Sequence, residues 1–234
     1  MTSTDILTAA ARIVNGTKTY GDGDAAVTAL HEVNVEFGSA RFTAIMGPSG
    51  SGKSTLMHCI AGLDRLTSGE AFIGDTLLAD LKDKKLTELR RSEVGFIFQS
   101  FNLVPTLTAE ENINLPLSLG GRSGDREWID TVIDTVGLRD RLSHRPSELS
   151  GGQQQRVAVA RALASRPTII FADEPTGNLD SVTGEKVIKS LFQSAADANA
   201  ALVLVTHDAN LAAQCSRVLH IEDGVIVRDS KSPS

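Results

Sequence analysis

One run of nine residues constrains the fold of this 234-residue chain more than any other: Gly47-Pro48-Ser49-Gly50-Ser51-Gly52-Lys53-Ser54-Thr55. The apolar segment Phe42–Met46 precedes it and predicts a strand, and a helical pattern from Lys53 to about Leu63 follows it. The predicted buried face of that helix carries Leu56, Cys59, Ile60 and Leu63. A strand that turns tightly into a helix begins a strand–helix–strand unit, so the run predicts a parallel sheet with crossover helices.

The composition of this run also predicts a chemistry. Glycines at Gly47, Gly50 and Gly52 let backbone N–H groups turn inward towards phosphate oxygens, and the helix N-terminus adds its positive dipole end. Lys53 would place a cation on the outer phosphates, and the Ser54 hydroxyl would ligate Mg²⁺. A flexible surface loop is the alternative, but chance gives such a run only roughly once per hundred chains of this length.

The rest of the chain has the alternation that a parallel sheet requires. After Pro146 a helix, a strand, a helix and a strand are predicted over Gly151–Ser165, Thr168–Ala172, Ser181–Ala198 and Ala201–Thr206. Earlier strands are predicted over Ala11–Thr19, Leu30–Phe37 and, as a pair, Gly69–Leu78. The segment Asp83–Pro146 is predicted to be mainly helical, with core positions at Trp128, Ile129, Val132, Ile133 and Val136. The fold class is therefore α/β.

Two acidic residues, Asp173 and Glu174, follow the apolar strand predicted around Ile169–Ala172. The carboxyl edge of a parallel sheet is where ligands gather. Alone, such acids would indicate only the end of a strand. Beside a phosphate loop, we expect Asp173 to hold Mg²⁺ through water and Glu174 to orient and polarise a water for attack on a γ-phosphate.

A second glycine-rich helix start is Leu149-Ser150-Gly151-Gly152-Gln153. Alone, it would indicate an N-cap at Ser150 and nothing more. Together with the phosphate loop and the two acids, it resembles the nucleotide-binding domain of the ATP-binding-cassette superfamily, over about Ala11–Asp229. The resemblance implies a P-loop NTPase fold with a parallel core sheet, an N-terminal antiparallel β subdomain and an α-helical subdomain inserted at about 101–165. All of these would belong to one domain over 1–234.

The resemblance also implies roles for single residues. Tyr20 matches the aromatic residue that stacks on adenine, with packing at a strand edge as the alternative. Gln99 matches the glutamine that contacts Mg²⁺ and the attacking water, and Gly177–Asp180 matches the loop that crosses to a partner subunit. His207 matches the histidine that senses the γ-phosphate, with a satisfied loop histidine as the alternative.

In proteins of that superfamily two copies pack head to tail. Each ATP then lies between the Gly47–Thr55 loop of one copy and the Ser150–Gln153 segment of the other. The implied cofactors are ATP and Mg²⁺, with Ser54, Gln99 and Asp173 as metal ligands. The implied catalytic groups are Glu174, His207, Gln99 and Lys53.

Two segments narrow the resemblance. Residues 98–108 and 173–181 resemble those of the macrolide-exporter and lipoprotein-releasing group, whose members act on macrolides, lipoproteins, peptides or haem. The resemblance implies a separate integral membrane permease and a peripheral location at the cytoplasmic face of the cell membrane. Phe101, Leu103, Val104 and Leu107 would contact a short cytoplasmic helix of the permease, unless they are core residues.

Composition bounds the remaining partner classes. The net charge of −6 and the scattered Lys and Arg residues give no basic stripe, so no nucleic-acid partner is expected. No apolar run approaches the ~20 residues of a membrane-spanning helix, and Met1–Ala11 has no pattern of a secretory signal. The alternative function is a soluble ATPase of the superfamily acting on DNA or ribosomes. The absence of a heptad insertion between Gln99 and Leu149, and of a second cassette, disfavours it.

Overall fold

The structure is a computed structural model that describes residues 9–121 and 123–231. The segment Met1–Ala11, for which no secretory signal is predicted, lies mostly outside these residues. The strands are β1 (Ala9–Tyr20), β2 (Val27–Gly38), β3 (Phe42–Met46), β4 (Ser68–Ile73), β5 (Thr76–Leu77), β6 (Val94–Ile97), β7 (Ile169–Asp173), β8 (Ala201–Val205), β9 (Arg217–Glu222) and β10 (Val225–Lys231). The α-helices are α1 (Lys53–Ile60), α2 (Asp83–Glu93), α3 (Ala109–Leu119), α4 (Arg126–Thr135), α5 (Gly151–Leu163), α6 (Ser181–Asp197) and α7 (Ala209–Ala212).

The strands form two sheets. The first is antiparallel, with the order β2-β1-β4-β5. The second has the order β10-β9-β3-β8-β7-β6, in which β9, β3, β8, β7 and β6 are parallel and β10 pairs antiparallel with β9. The predicted combination of a parallel core sheet with an N-terminal antiparallel sheet is confirmed.

The register of the parallel strands brings the predicted site residues to one edge. Val205 of β8 pairs with Ile45 of β3 on one side and with Asp173 of β7 on the other, and Ile97 of β6 pairs with Ala172. Because these strands run in the same direction, all their carboxyl ends meet at this edge. The loops that leave it carry the glycine run, Gln99, Glu174 and His207.

Apolar side chains cover both faces of the parallel sheet. Alternate residues of β8 enter different clusters, with Leu202 and Leu204 in the cluster of α3 to α6, and Val203 and Val205 in the cluster of α1 and the antiparallel sheet. This division follows from the alternation of side chains along a strand. The five predicted core positions of the Trp128–Val136 segment are all buried. Among the described residues, no helix combines the length and apolar composition that crossing a bilayer requires.

Two details of the predicted secondary structure are wrong. The helix after the glycine run ends at Ile60, because Gly62 adopts a left-handed conformation (φ +66°) and turns the chain. Leu63 is therefore 47% exposed and does not join the buried face of the helix. The segment Asp83–Pro146, predicted to be mainly helical, contains α2, α3 and α4, but it also contributes β6 to the parallel sheet. Helices α3, α4 and α5 lie within residues 101–165. The limits of a helical subdomain at about 101 and 165 stay a prediction.

Candidate active site

The glycine run forms a tight loop between β3 and α1. Gly47 has φ +151°, and a Cβ there would lie 2.0 Å from the carbonyl oxygen of Ile221. Gly52 has φ +101°, and a Cβ there would lie 2.4 Å from the carbonyl oxygen of Ala29. Side chains at these two positions would collide with the backbone, so the close path of the loop depends on glycine.

The first turn of α1 is open to an anion. Gly52 is the N-cap and provides no side chain to the free N–H groups of the first turn. The Nζ of Lys53 is held over the same loop, where it donates to the carbonyl oxygens of Gly47 (3.0 Å) and Pro48 (2.6 Å). The ammonium group and the positive end of the helix therefore point at one place, as a phosphate site requires.

Ser54 and Asp173 link the loop to β7. The Ser54 hydroxyl donates to Oδ2 of Asp173 at 3.3 Å. Burial raises the pKa of Asp173 above its ordinary value, although the Ser54 hydrogen bond acts in the opposite direction. A hydroxyl beside a half-buried carboxylate is an oxygen donor set of the kind that Mg²⁺ takes together with phosphate oxygens, so the residues fit the predicted ion.

Glu174 and His207 lie at the ends of neighbouring strands. Glu174 has a left-handed conformation (φ +46°), and its backbone N–H donates to the carbonyl oxygen of Val205 at 3.0 Å. The His207 Nδ1 atom lies 2.9 Å and 2.8 Å from the two carboxylate oxygens of Glu174. The hydrogen bond to Glu174 and the charge of that carboxylate raise the pKa of His207 above 6.5. The imidazole thus fixes the direction of the carboxylate.

A cleft of about 480 Å³ gathers most of the predicted site residues. Its lining includes Ser49, Lys53 and Thr55 of the loop, together with Ala29 of β2. The other lining residues come from the ends of the strands: Gln99, Asp173, Glu174, Val205 and His207. The Gln99 side chain also lies against Gly177, and Asn178 Nδ2 donates to the backbone carbonyl oxygen of Gln99 at 2.9 Å. The structure therefore brings together residues that are more than 100 positions apart in the sequence.

Tyr20 lies outside the lining of that cleft, but close to the loop. Tyr20 is 43% exposed, and its hydroxyl donates to Oδ2 of Asp64 at 2.8 Å. Lys18 Nζ donates to Oδ1 of Asp64 at 2.7 Å and lies 4.7 Å from the centre of the Tyr20 ring. Burial and the hydrogen bond to Asp64 raise the pKa of Tyr20, whereas a hydrogen bond with Thr55 lowers it. The Tyr20 ring is therefore held beside the phosphate loop by a charged pair.

Sequence reasoning missed Lys18 and Asp64. Neither residue belongs to a recognisable motif, and they come from β1 and from the turn after α1. Burial opposes the ionisation of Asp64, but hydrogen bonds from Lys18 and Tyr20 outweigh it and hold the pKa of Asp64 below its ordinary value. The available signal was weak: Lys18 and Tyr20 lie two apart on one strand and share a face.

The second helix start, Ser150–Gln153, lines no part of the cleft. The Ser150 hydroxyl accepts from the Gln153 N–H at 3.3 Å, and Gln153 Oε1 accepts from the Ser150 N–H at 2.8 Å. This reciprocal capping box satisfies the third N–H of the helix. Gly151 and Gly152 pack against Leu179 and Thr183, so the segment lies beside the loop that follows Glu174.

The comparisons with known proteins agree with this geometry. A sequence profile of the ABC transporter family matches residues 30–177. The ABC transporter ATP-binding protein MJ0796 of Methanocaldococcus jannaschii is 46% identical over 226 residues, which cover 94% of this chain and 96% of MJ0796. The lipoprotein-releasing system ATP-binding protein LolD of Rhodopseudomonas palustris is 42% identical, covering 89% of this chain and 90% of LolD. The macrolide export ATP-binding/permease protein MacB of Bdellovibrio bacteriovorus is 44% identical over 92% of this chain, which spans only 33% of MacB.

A solved structure extends the likeness to the fold. It is the dimeric, post-hydrolysis state of the MJ0796 cassette bound to ADP and Pi, which matches this chain with a TM-score of 0.86 and 43% identity. The match covers 96% of this chain and 99% of the other. The family profile covers more than half of this chain, and relatives above 40% identity cover nearly all of it. The chain therefore belongs to the ABC transporter family, as one of its ATP-hydrolysing, ATP-binding cassettes.

Proposed function

We propose that two copies of this cassette pack head to tail around ATP and drive a separate membrane permease. The observation that carries the proposal is the separation of the two glycine-rich helix starts. The cleft of one chain contains the Gly47–Thr55 loop and the groups at the strand ends, whereas Ser150–Gln153 lies outside it. A second chain in the opposite orientation brings its own Ser150–Gln153 over the cleft. The dimeric MJ0796 structure bound to ADP and Pi supports this arrangement.

Each group of the cleft then has one task. Lys53 moves its ammonium group from the carbonyls of its own loop to the outer phosphates of ATP. Glu174, directed by His207, orients a water molecule and accepts its proton as the new P–O bond forms and the bond to the ADP oxygen breaks. The open helix start of α1 stabilises the charge on the transferred group.

The metal site is proposed at Ser54, Asp173 and Gln99. Mg²⁺ held by these residues would supply positive charge that stabilises the reacting phosphates. These three side chains offer a hydroxyl, a carboxylate and an amide oxygen, which are the hard ligands that Mg²⁺ prefers. The Ser54–Asp173 hydrogen bond already brings two of them together.

The variant Glu174→Gln tests this function, because it keeps the shape of the side chain and removes its basicity. Turnover should fall by about 10²- to 10⁴-fold, the usual contribution of a general base. An ATP-bound dimer should accumulate, measured by analytical ultracentrifugation. Glu185→Gln, an exposed residue of α6, is the matched control. Retained turnover would remove Glu174 from its role, and a monomer that binds ATP tightly would contradict the head-to-tail dimer.

A mainly apolar groove is the proposed docking place of the permease. It has a volume of about 450 Å³ and lies beside the Gln99 loop, lined by Leu63, Phe98, Leu115 and Leu119 among others. Leu63 and Leu119 are 47% and 59% exposed. We infer that a short amphipathic helix of the permease occupies this groove, with acidic groups facing Arg90 and Arg91 at its edge. The MacB relative supports a permease occupant, since its own name joins both parts in one chain.

This location changes the expected docking surface. Phe101, Leu103, Val104 and Leu107 are each half-buried, and Leu103 packs against the main apolar cluster. Leu103 therefore supports the loop, whereas Phe101, Val104 and Leu107 stay candidates for the predicted contact. The exposed apolar side chains come instead from the turn after α1 and from the end of α3.

Co-purification from the membranes of the source organism tests the partner. The tagged chain should retain an integral membrane protein, and Leu119→Asp should release it. Val227→Asp is the matched control, because Val227 is 53% exposed but lies on β10, at the opposite edge of the sheet from β6. A soluble assembly containing DNA or ribosomes in place of a membrane protein would favour the alternative function.

The proposed branch is the macrolide-exporter and lipoprotein-releasing group, with the chain at the cytoplasmic face of the cell membrane. The names of the LolD and MacB relatives support this branch. The substrate class, whether macrolide, lipoprotein, peptide or haem, is decided by the permease. Measuring which of these compounds stimulates ATP turnover of the co-purified complex would identify it.

A further inference from the structure

Arg161 of α5 makes a two-pronged contact with the loop that follows Gln99. Its Nη1 atom donates to the carbonyl oxygen of Asn102 at 2.6 Å, and its Nη2 atom donates to that of Phe101 at 2.9 Å. The guanidinium group thus binds two successive carbonyls with its planar fork. Arg161 has no role in the proposed chemistry, yet it is bound to a segment that is two residues from Gln99.

The segment that Arg161 holds is strained. Phe101 and Asn102 are successive residues in the left-handed region, with φ +60° and +49°. Residues other than glycine rarely adopt this conformation, and they persist in it only when their surroundings fix them. The Phe101 N–H donates to the Phe98 carbonyl at 3.1 Å, which closes a turn around Gln99. The Arg161 fork therefore stabilises a backbone conformation that would otherwise relax.

The other side of the same turn is held by the loop after Glu174. Asn178 donates to the Gln99 carbonyl at 2.9 Å, and Gly177 lies against the Gln99 side chain. Gln99 is therefore braced from two directions, by α5 through Arg161 and by the 177–180 loop through Asn178. Loss of either brace would let the amide move relative to Ser54 and Asp173.

Arg161 carries its positive charge in partly buried surroundings. Among the described residues, no carboxylate lies within ion-pairing distance of Arg161. Burial lowers the pKa of Arg161. Removing a guanidinium group partly from water is costly unless hydrogen bonds compensate, and the two carbonyl bonds of Arg161 provide that compensation. Asn102 and Arg161 also line the apolar groove described above.

We propose that Arg161 is a positioning residue that fixes Gln99 relative to the Ser150 end of α5. Arg161 lies 11 residues after Ser150, which is ~16 Å along a helix, and α5 is continuous between them. A displacement at the groove therefore moves the Gln99 turn and the Ser150 helix start together. The proposal rests on the proposed function, since it acts through the role assigned to Gln99.

A double-mutant cycle with Arg161→Met and Gln99→Ala tests the proposal on the full chain. Methionine keeps the apolar stem and removes both donors. We expect kcat for ATP hydrolysis to fall about tenfold with a KM change below about twofold, because misplaced groups commonly cost up to ~10²-fold. In the Gln99→Ala background, Arg161→Met should change kcat by less than about twofold, since coupled residues are not additive. Arg161→Lys, which keeps one donor group, should recover part of kcat.

Arg12→Met is the matched control for the loss of an arginine–carbonyl bond. Arg12 donates to the Gly74 carbonyl at 3.1 Å on the antiparallel sheet, so its loss should lower Tm without changing kcat. The inference about Arg161 is overturned if Arg161→Met lowers Tm but leaves kcat unchanged. It is also overturned if Arg161→Met lowers kcat by the same factor with and without Gln99→Ala. In both cases the proposed function still stands. If Gln99→Ala itself leaves kcat unchanged, the role of Gln99 in the proposed function fails as well. Arg161→Lys carries the same cycle if Arg161→Met does not fold.

Discussion

The helix starts of α1 and α5 are both glycine-rich, but the structure treats them differently. The start of α1 is uncapped, and Lys53 and the ends of three other strands surround it in one cleft. The start of α5 is capped by its own Ser150 and Gln153 side chains and faces none of those groups. Similar sequence signals at helix starts therefore do not imply equivalent sites. One start is assembled within the chain, and we propose that the other meets the cleft of a second chain.

The largest expected effect comes from breaking the α1 start. Lys53→Ala removes the only side-chain cation held over the loop by two carbonyl hydrogen bonds in the described structure. Charge-assisted hydrogen bonds contribute ~1.5–3 kcal/mol, so ATP affinity should fall about 10- to 150-fold. Titration calorimetry measures it. Lys85→Ala, whose ammonium pairs with Glu88 on exposed α2, should bind ATP normally. Undiminished affinity in Lys53→Ala would contradict the phosphate site.

Breaking the α5 start should spare ATP binding and still lower turnover. Gly151→Asp is the test variant. A Cβ at Gly151 would lie 3.4 Å from Leu179 and 3.8 Å from Phe101, which are ordinary contact distances. A negative charge at a helix N-terminus stabilises the helix but repels phosphate. We expect unchanged ATP affinity in the monomer and a turnover that falls at least about tenfold, the equivalent of ~1.4 kcal/mol. Gly151→Asn, which adds a side chain of similar size without the charge, should lose less turnover. A weakened ATP affinity of monomeric Gly151→Asp would mean that α5 contributes to its own chain's site.

A smaller effect is expected at the Tyr20 side of the α1 site, where the adenine base of ATP is expected to stack. Asp64→Asn removes the charge that holds Lys18 and Tyr20, and ATP affinity should fall by at most about fivefold, because partly exposed ion pairs contribute below ~1 kcal/mol. Tyr20→Ala should lose more, since stacking contributes ~1–3 kcal/mol. Fluorescent ATP titration compares both variants and their double mutant. If the losses of ATP affinity simply add in the double mutant, Asp64 does not act through Tyr20.

The smallest expected effect is the titration of His207. Its pKa lies above 6.5 because it bonds to Glu174, so the favourable charge interaction is fully present below pH 6.5. The interaction is lost as the pH rises through the folded-state pKa. Histidine NMR resonances should give a midpoint for His207 that moves towards 6.5 in Glu174→Gln. A midpoint unaffected by that substitution would mean that the two side chains do not interact in solution.

Much of the α1 site was predictable because its residues lie in short motifs at strand ends. The glycine run, Asp173 and Glu174 each follow an apolar strand, and periodicity places those strands in a parallel sheet. β6 was missed because it is only four residues long and follows the highly polar helix α2. Leu63 was misplaced because the helical spacing of apolar residues continues past the turn at Gly62.

Contacts between distant segments were not predictable in the same way. Arg161 fits a helical pattern, and nothing in the pattern indicates that its guanidinium group reaches Phe101 and Asn102. Lys18 and Asp64 likewise meet only because the fold places β1 next to the turn that follows α1. Such side chains depend on tertiary geometry, which periodicity does not encode.

The strand β8 has a consequence for the reaction, although none of its side chains reacts. It separates β3, which leads to the phosphate loop, from β7, which ends in the two acids. Neighbouring strands are spaced ~4.8 Å apart, so one intervening strand sets the backbones of β3 and β7 about 9.6 Å apart, a gap that the Ser54 and Asp173 side chains close. Val205 pairs at the same level with both neighbours and fixes their heights as well. β8 thus sets both the spacing and the relative height at which the phosphate loop and the two acids meet.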